Sequence, residues 1–467
     1  MPMRYVSTRG TAAPRDFAGV LLAGLAEDGG LFMPETWPHF SAGELRSLRG
    51  QSYADIAAHV LQPFVEGSIA ATDLRVMCRD AYAGFGNPAV APLVQLDTGL
   101  WSMELFHGPT LAFKDVAMQL LGRLFDHVLT RDGRRVTIVA ATSGDTGSAA
   151  IEACQGRANL DVVILHPEGR TSEVQRRQMT TVLSPNIKNI AVSGTFDDCQ
   201  DLVKAMFADV PFRESLHLSA VNSINWARVA AQIPYYVAAA VALGSPDREV
   251  AFSVPTGNFG NVLAAWAARR MGVPIARLVV ASNRNDILAR FLESNDMRIA
   301  GVEPSLSPSM DIQVSSNFER LLFELLDRDP AATARTMAGF RTTGAMHVPG
   351  AAWHRARTVF HGFRLDDAGT TAEIRRLHQA GYLADPHTAI GIAAARALPC
   401  PHVPMVAVAT AHPAKFPDAM EAATGMRPPL PARMSDLYER EERYTTAPNR
   451  LDAVEAQVRA FALRNAA

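Results

Sequence analysis

The sequence predicts an α/β protein made of two mainly parallel, helix-covered open-sheet halves with an additional N-terminal lobe. Three observations carry this reading: uninterrupted apolar runs rich in β-branched residues, glycine-bearing turns directly after them, and helical patterns after the turns. Residues 1–94 mix short helical patterns with turns such as Glu27-Asp28-Gly29-Gly30, and Asn87-Pro88 marks a break, which sets this stretch apart as the lobe. In the first half, residues 95–245, a strand at 135–140 leads into TSGDTG and the helix SAAIEACQG, and a second strand follows at 161–165. In the second half, residues 246–435, a strand at 249–254 runs into PTGNFGN and the helix NVLAAWAARRMG, with further strands at 277–281 and 405–409. Residues 436–467 read as a C-terminal helical tail, and the Arg-rich stretch 328–375 reads as a solvated insertion.

Composition narrows the function classes. The 467 residues carry 45 Lys and Arg against 47 Asp and Glu, a formal charge of −2. With no basic excess to displace counterions, no nucleic-acid partner is expected. A hydrophobic fraction of 48% suits a large buried core and argues against disorder. The opening MPMRYVSTRGTAAPRDF lacks the apolar run of a secretory signal, and the most apolar stretch, 229–244, is broken by Gln232 and Pro234. A cytoplasmic protein without a membrane span is expected. Cys78, Cys154, Cys199 and Cys400 lie far apart with no C-x-x-C pair, the pattern of ordinary buried thiols rather than a zinc site or disulfide framework.

In helix-covered parallel sheets, ligands sit beyond the carboxyl ends of the strands, so the strand-to-helix turns are where chemistry is sought. Three stand out: TSGDTG at 142–147, TGNFGN at 256–261 and TAHPAKF at 410–416. None is a G-x-G-x-x-G or P-loop sequence. The first two place glycines and small polar residues where backbone N–H groups at a helix start can meet an anion, which suggests two anionic sites. Lysine is the second signal. Only Lys114, Lys188, Lys204 and Lys415 are lysines among the 45 basic residues, and lysine, unlike arginine, can lose its proton and attack a carbonyl. Lys188 reads as a solvated turn and Lys204 as a surface helix residue, while the setting of Lys415 is open. Lys114, among Leu111, Ala112 and Phe113, is expected to be partly desolvated and so more nucleophilic. A reactive lysine together with a phosphate cup is what pyridoxal phosphate needs.

Seven strings, ELFHGPTLAFKD, ATSGDTGSAA, VNSINWARVAAQ, VPTGNFGN, SPSMDIQVSSNFERL, DPHTAIG and TAHPAKF, stand in order along the chain, with GLAEDGGLFMPE before them. Together they closely resemble the threonine synthase family, pyridoxal-phosphate enzymes of the tryptophan-synthase β-like fold. The resemblance implies that Lys114 is the Schiff-base lysine, and that Gly257, Asn258, Phe259, Gly260 and Asn261 hold the cofactor phosphate. It implies that Thr410 faces the cofactor's pyridine nitrogen. Thr142, Ser143, Asp145 and Thr146 match the loop that receives the substrate carboxylate, although related folds often carry Asn where Asp145 stands. Asn222, Ser223 and Arg228 match the residues that receive the substrate phosphate. The implied reaction turns O-phospho-L-homoserine and water into L-threonine and phosphate, with release of 2-oxobutyrate from the same substrate as the alternative. A monomer or homodimer with a small-molecule substrate is the implied assembly.

Overall fold

The structure, a computed structural model, describes residues 2–466. Two sheets organise it. The larger has six strands in the order Phe360–Arg364, Ile275–Ser282, Val250–Pro255, Met405–Ala409, Leu100–Glu104 and Leu93–Asp97, parallel throughout except for the last, antiparallel pair. The smaller has five parallel strands in the order Thr445–Pro448, Ile187–Ser193, Leu160–Pro167, Val136–Ala141 and Leu218–Ser219. Every residue of Val250–Pro255, Leu160–Pro167 and Met405–Ala409 is buried, as strands covered on both faces should be. The expected α/β class with parallel, helix-covered sheets is what the chain adopts.

The division along the chain differs from the expected one. Leu93–Asp97, which straddles the expected boundary after residue 94, and Leu100–Glu104, counted with the first half, pair instead within the sheet built from residues of the second half. Thr445–Pro448, placed in a helical tail, forms an edge strand on Ile187–Ser193 before the helix Leu451–Ala466 begins. The stretch 328–375 is not a solvated insertion: Phe360–Arg364 is the parallel edge strand of the larger sheet, and Met346 and Phe340 are buried. The sequences TTAP and FHGFR lack a long apolar run because each edge strand has a neighbour on one side only, so the pattern that revealed the central strands is missing from them.

Residues of the N-terminal lobe share one hydrophobic core with the two sheets rather than enclosing a core of their own. Trp37 lies edge-on to Trp226 at 5.9 Å and to Trp266 at 5.4 Å, and Phe64 meets Trp226 at 5.7 Å. Trp226 opens the helix Trp226–Ala230 and Trp266 lies in the helix Gly260–Arg270, the helices that follow two of the candidate binding loops. Aromatic packing of this kind holds the lobe against both helices behind the site.

Candidate active site

The lysine-bearing loop is tied to the end of a central strand. Phe113 N donates to the Thr410 carbonyl at 2.8 Å, His412 N donates to the Leu111 carbonyl at 3.0 Å, and Ala112 bridges Ala411. Lys114 thus begins the helix Lys114–Asp132 beside Thr410, at the carboxyl end of Met405–Ala409. Asp115, its neighbour, does not pair with it: the Asp115 carboxylate accepts from Thr110 Oγ1 at 2.6 Å and Thr110 N at 2.8 Å. Gly108 is required there, since a Cβ would fall 2.4 Å from the Asp115 Cβ.

Lys114 Nζ instead donates to Asp145 Oδ2 at 3.1 Å, with its side chain 11% exposed. Burial pulls the Lys114 amine below the ordinary lysine range, opposed in part by the Asp145 charge. The other Asp145 oxygen, Oδ1, takes Lys415 Nζ at 2.8 Å and Gln175 Nε2 at 2.8 Å. Burial by itself would raise the Asp145 carboxyl, but Lys114 and Lys415 outweigh it and hold the group well below the usual carboxylate range. Asp145, expected within the carboxylate-receiving loop, therefore turns its side chain toward the two lysines. Of the remaining lysines, Lys204 is exposed and pairs with Asp201 at 2.8 Å, and Lys188 lies within the strand Ile187–Ser193 rather than in a turn.

The TSGDTG loop is braced from within. Thr142 Oγ1 accepts from Gly144 N at 3.0 Å and Gly147 N at 2.9 Å, while Ser143 is exposed and Thr146 half-buried. Gly144 has φ +145°, and a Cβ there would lie 2.5 Å from the Gln175 side chain. The helix Asp145–Cys154 has no side-chain cap from its N-cap residue, and with Gly147 N taken by Thr142 the N–H groups of Asp145 and Thr146 are left to meet an anion.

The TGNFGN loop has the same construction. Asn261 Nδ2 donates to the Pro255 carbonyl at 2.9 Å and its Oδ1 accepts from Thr256 Oγ1 at 2.5 Å. Phe259, in the left-handed region at φ 63°, points into the core against Phe318 and Phe360, and the helix Gly260–Arg270 again starts without a side-chain cap. A Cβ on Gly257 would sit 2.6 Å from Ile312 Cδ1 and 2.9 Å from the Ser309 carbonyl. Ser309 N in turn donates to His387 Nε2 at 3.2 Å, which leaves His387 Nδ1 as the donor to Asp385 at 2.7 Å.

Asn317 joins this loop to the third one. Its N donates to the Asn258 carbonyl at 3.0 Å and its Nδ2 to the Ser223 carbonyl at 3.0 Å, while its Oδ1 accepts from Arg320. Arg320, fully buried, also donates to the carbonyls of Phe32 at 3.0 Å and Ile224 at 2.6 Å. In the third loop Asn222 is exposed, Ser223 is half-buried, and Asn225 caps the helix Trp226–Ala230 by accepting from Ala227 N at 3.0 Å. Arg228 is 5% exposed and donates to the Val221 carbonyl at 2.9 Å. Among the described residues it has no ion-pair partner, and burial pulls its guanidinium down to about 10, so it stays a cation.

The three loops, Lys114 and Thr410 thus meet at one end of the two sheets. Sequence reasoning missed Gln175, Asn317 and Arg320 and left Lys415 open. Asn317 and Arg320 were inside the quoted SPSMDIQVSSNFERL string, and the scarcity of lysine pointed at Lys415, but nothing marked Gln175. Among the described residues no group of acidic, histidine and cysteine side chains could hold a metal ion.

A nucleophilic amine beside two uncapped helix starts, one behind a loop with no room for a side chain at Gly257, fits an aldehyde cofactor carrying a phosphate. The fold and site define a pyridoxal-phosphate-dependent enzyme, and the family model described as pyridoxal-phosphate dependent enzyme matches residues 87–346. Models for the threonine synthase N terminus and C-terminal region match residues 4–82 and 388–458. Threonine synthase of Pseudomonas aeruginosa is 55% identical over 461 residues, covering 98% of both chains. The crystal structure of PLP-bound threonine synthase from Brucella melitensis superposes with a TM-score of 0.97 at 53% identity, covering 98% of this chain and 99% of that one. Yeast threonine synthase gives a TM-score of 0.93 at 36% identity, covering 99% of each. The chain belongs to the threonine synthase family.

Proposed function

We propose that the chain converts O-phospho-L-homoserine and water to L-threonine and phosphate, with Lys114 and residues 257–261 holding pyridoxal phosphate and Arg228 reading the substrate phosphate. The observation that carries the reading is Arg228 itself: a buried guanidinium without a carboxylate, in a site that already has two lysines to one Asp145. Burying an uncompensated cation is costly, and a phosphate dianion arriving at Arg228 removes that cost.

When bound, pyridoxal phosphate supplies an electron sink for negative charge at the substrate Cα. The chain's residues do the rest. Lys114 Nζ, depressed toward neutrality by burial, serves as the base that removes and returns the Cα proton. The N–H groups of Asp145 and Thr146, with the Ser143 side chain, take the substrate carboxylate, and Asn222, Ser223 and Arg228 take its phosphate at the other end. Held at both ends, the substrate loses a further proton from Cβ as phosphate leaves Cγ, takes a proton back at Cγ to form the methyl group, and accepts water at Cβ in a fixed geometry. Thr410, just past the end of Met405–Ala409, would offer the pyridine nitrogen an uncharged hydroxyl. No helix among the described residues is long and apolar enough to cross a membrane. A cytoplasmic location, a monomer or homodimer and the absence of a nucleic-acid partner belong to the same reading. Incubating the holoenzyme with O-phospho-L-homoserine and measuring threonine and 2-oxobutyrate together tests it: threonine with equimolar phosphate is expected, and 2-oxobutyrate as the main product would overturn it.

A further inference from the structure

We propose that Lys415 is a positioning residue of the reaction: it is the standing counter-ion of Asp145, and its charge lets Lys114 give up a proton to take the cofactor. The inference rests on reading Lys114 as the cofactor-binding lysine.

Lys415 is one of four lysines in a chain that otherwise uses arginine, and it is completely buried. It ends the short turn Pro413–Lys415, which His412 fixes by accepting from Ala414 N at Nδ1, 3.2 Å away. Its Nζ reaches Asp145 Oδ1 at 2.8 Å and the Thr110 carbonyl at 2.7 Å. Asp145 therefore lies between two amines, one on each oxygen, with Gln175 as a neutral third donor. The charged groups facing this cluster are few. Lys114 faces Asp145, Arg228 and Lys415, while Lys415 faces Asp145, Lys114 and the buried Asp115 carboxyl, which accepts from Thr110.

The two amines differ in what they can do. Lys114 must shed a proton before its nitrogen bonds to the aldehyde carbon of pyridoxal phosphate, the carbonyl oxygen leaving as water. If Lys114 were the only cation on Asp145, that proton would be held by a buried carboxylate with nothing else charged to satisfy it, and the amine would stay unreactive. Lys415, enclosed and bonded to a backbone carbonyl, takes no part in the bond change. It keeps Asp145 paired before and after Lys114 reacts.

The test uses the apo-protein and pyridoxal phosphate, following the visible band as a function of pH. Lys415→Met and Lys415→Gln, the second keeping a donor for the Thr110 carbonyl, are compared with the parent. The midpoint for cofactor capture is expected to move up by about one pH unit or more in both, slowing capture at neutral pH about tenfold. Adding Asp145→Asn to Lys415→Gln should bring the midpoint back to the parent's or below it, which a loss of packing alone would not do. A parent-like midpoint in Lys415→Gln, or the same upward shift in the double variant, would overturn the inference. The control is Lys114→Ala: no band there shows that the lysine reading stands independently, whereas a persisting band would overturn that reading and this inference with it.

Discussion

Arg228→Ala separates substrate binding from folding more cleanly than any other substitution in the site. The guanidinium is buried with one neutral partner, the Val221 carbonyl, so its removal strands no buried carboxylate. Losing that hydrogen bond costs about 1–3 kcal/mol, and relief from burying an unpaired charge offsets part of it. Losing a buried, hydrogen-bonded charge pair with the substrate phosphate costs about 2–5 kcal/mol. At about 1.4 kcal/mol per tenfold, that is a rise in KM for O-phospho-L-homoserine of about 30-fold to about 4,000-fold. Steady-state kinetics supply the KM, inorganic phosphate serves as a competing ligand, and thermal melting and the cofactor spectrum report on the rest of the protein. Expected are a steep rise in KM, weaker competition by phosphate, and a parent-like spectrum. Arg228→Lys should recover only part of the loss, because a point charge replaces a planar fork. An unchanged KM, or loss of the cofactor with substrate handling intact, would refute the assignment.

Lys114→Ala should abolish both the cofactor band and threonine formation while the melting temperature stays near the parent's, since Lys415 and Gln175 still satisfy Asp145; absorbance, product assay and melting check this. Gly257→Val should reduce cofactor affinity far more than Gly260→Val in equilibrium dialysis, because a Cβ at 257 meets Ile312 at 2.6 Å and a carbonyl at 2.9 Å, whereas at 260 the nearest contact is Asn317 Nδ2 at 3.3 Å. Asn317→Ala should destabilise the fold by about 1–3 kcal/mol in denaturant titration by leaving the Ser223 carbonyl and Arg320 short of partners. It should also raise KM and weaken cofactor binding together, since it unties two loops at once.

What could be read from the sequence followed from local periodicity. The strands Val136–Ala141, Val250–Pro255 and Met405–Ala409 are buried on both faces, so each shows as a short apolar run, and the glycine turns after the first two announce the sheet class. Edge strands gave no such run. Phe360–Arg364 has a neighbour on one side and half-buried residues, which made it resemble the surrounding Arg-rich helices. Nor could periodicity say which sheet a strand joins: Leu100–Glu104 pairs with Met405–Ala409, a partner some three hundred positions away, because the chain leaves the larger sheet after one hairpin and returns to it after building four of the smaller sheet's five strands.

The site divides in the same way. The candidate loops stood out because glycine and small polar residues cluster at a helix start, as anion binding there would require, and Lys114 stood out because lysine is scarce. The groups that set the charge and spacing of the site come from far along the chain. Lys415 reaches the Thr110 carbonyl across 305 positions, Arg320 reaches the Phe32 carbonyl across 288, and Asn317 reaches the Ser223 carbonyl across 94. Each satisfies a polar group that folding has buried, a demand that does not exist until the chain has closed. Asp145 shows the consequence. By its place in TSGDTG it belongs to the loop proposed to receive the substrate carboxylate, where a second carboxylate would repel the ligand. Two lysines drawn in from other elements engage its side chain and leave its helix start open to an anion. The motif placed the backbone, and the distant lysines decided what the side chain does.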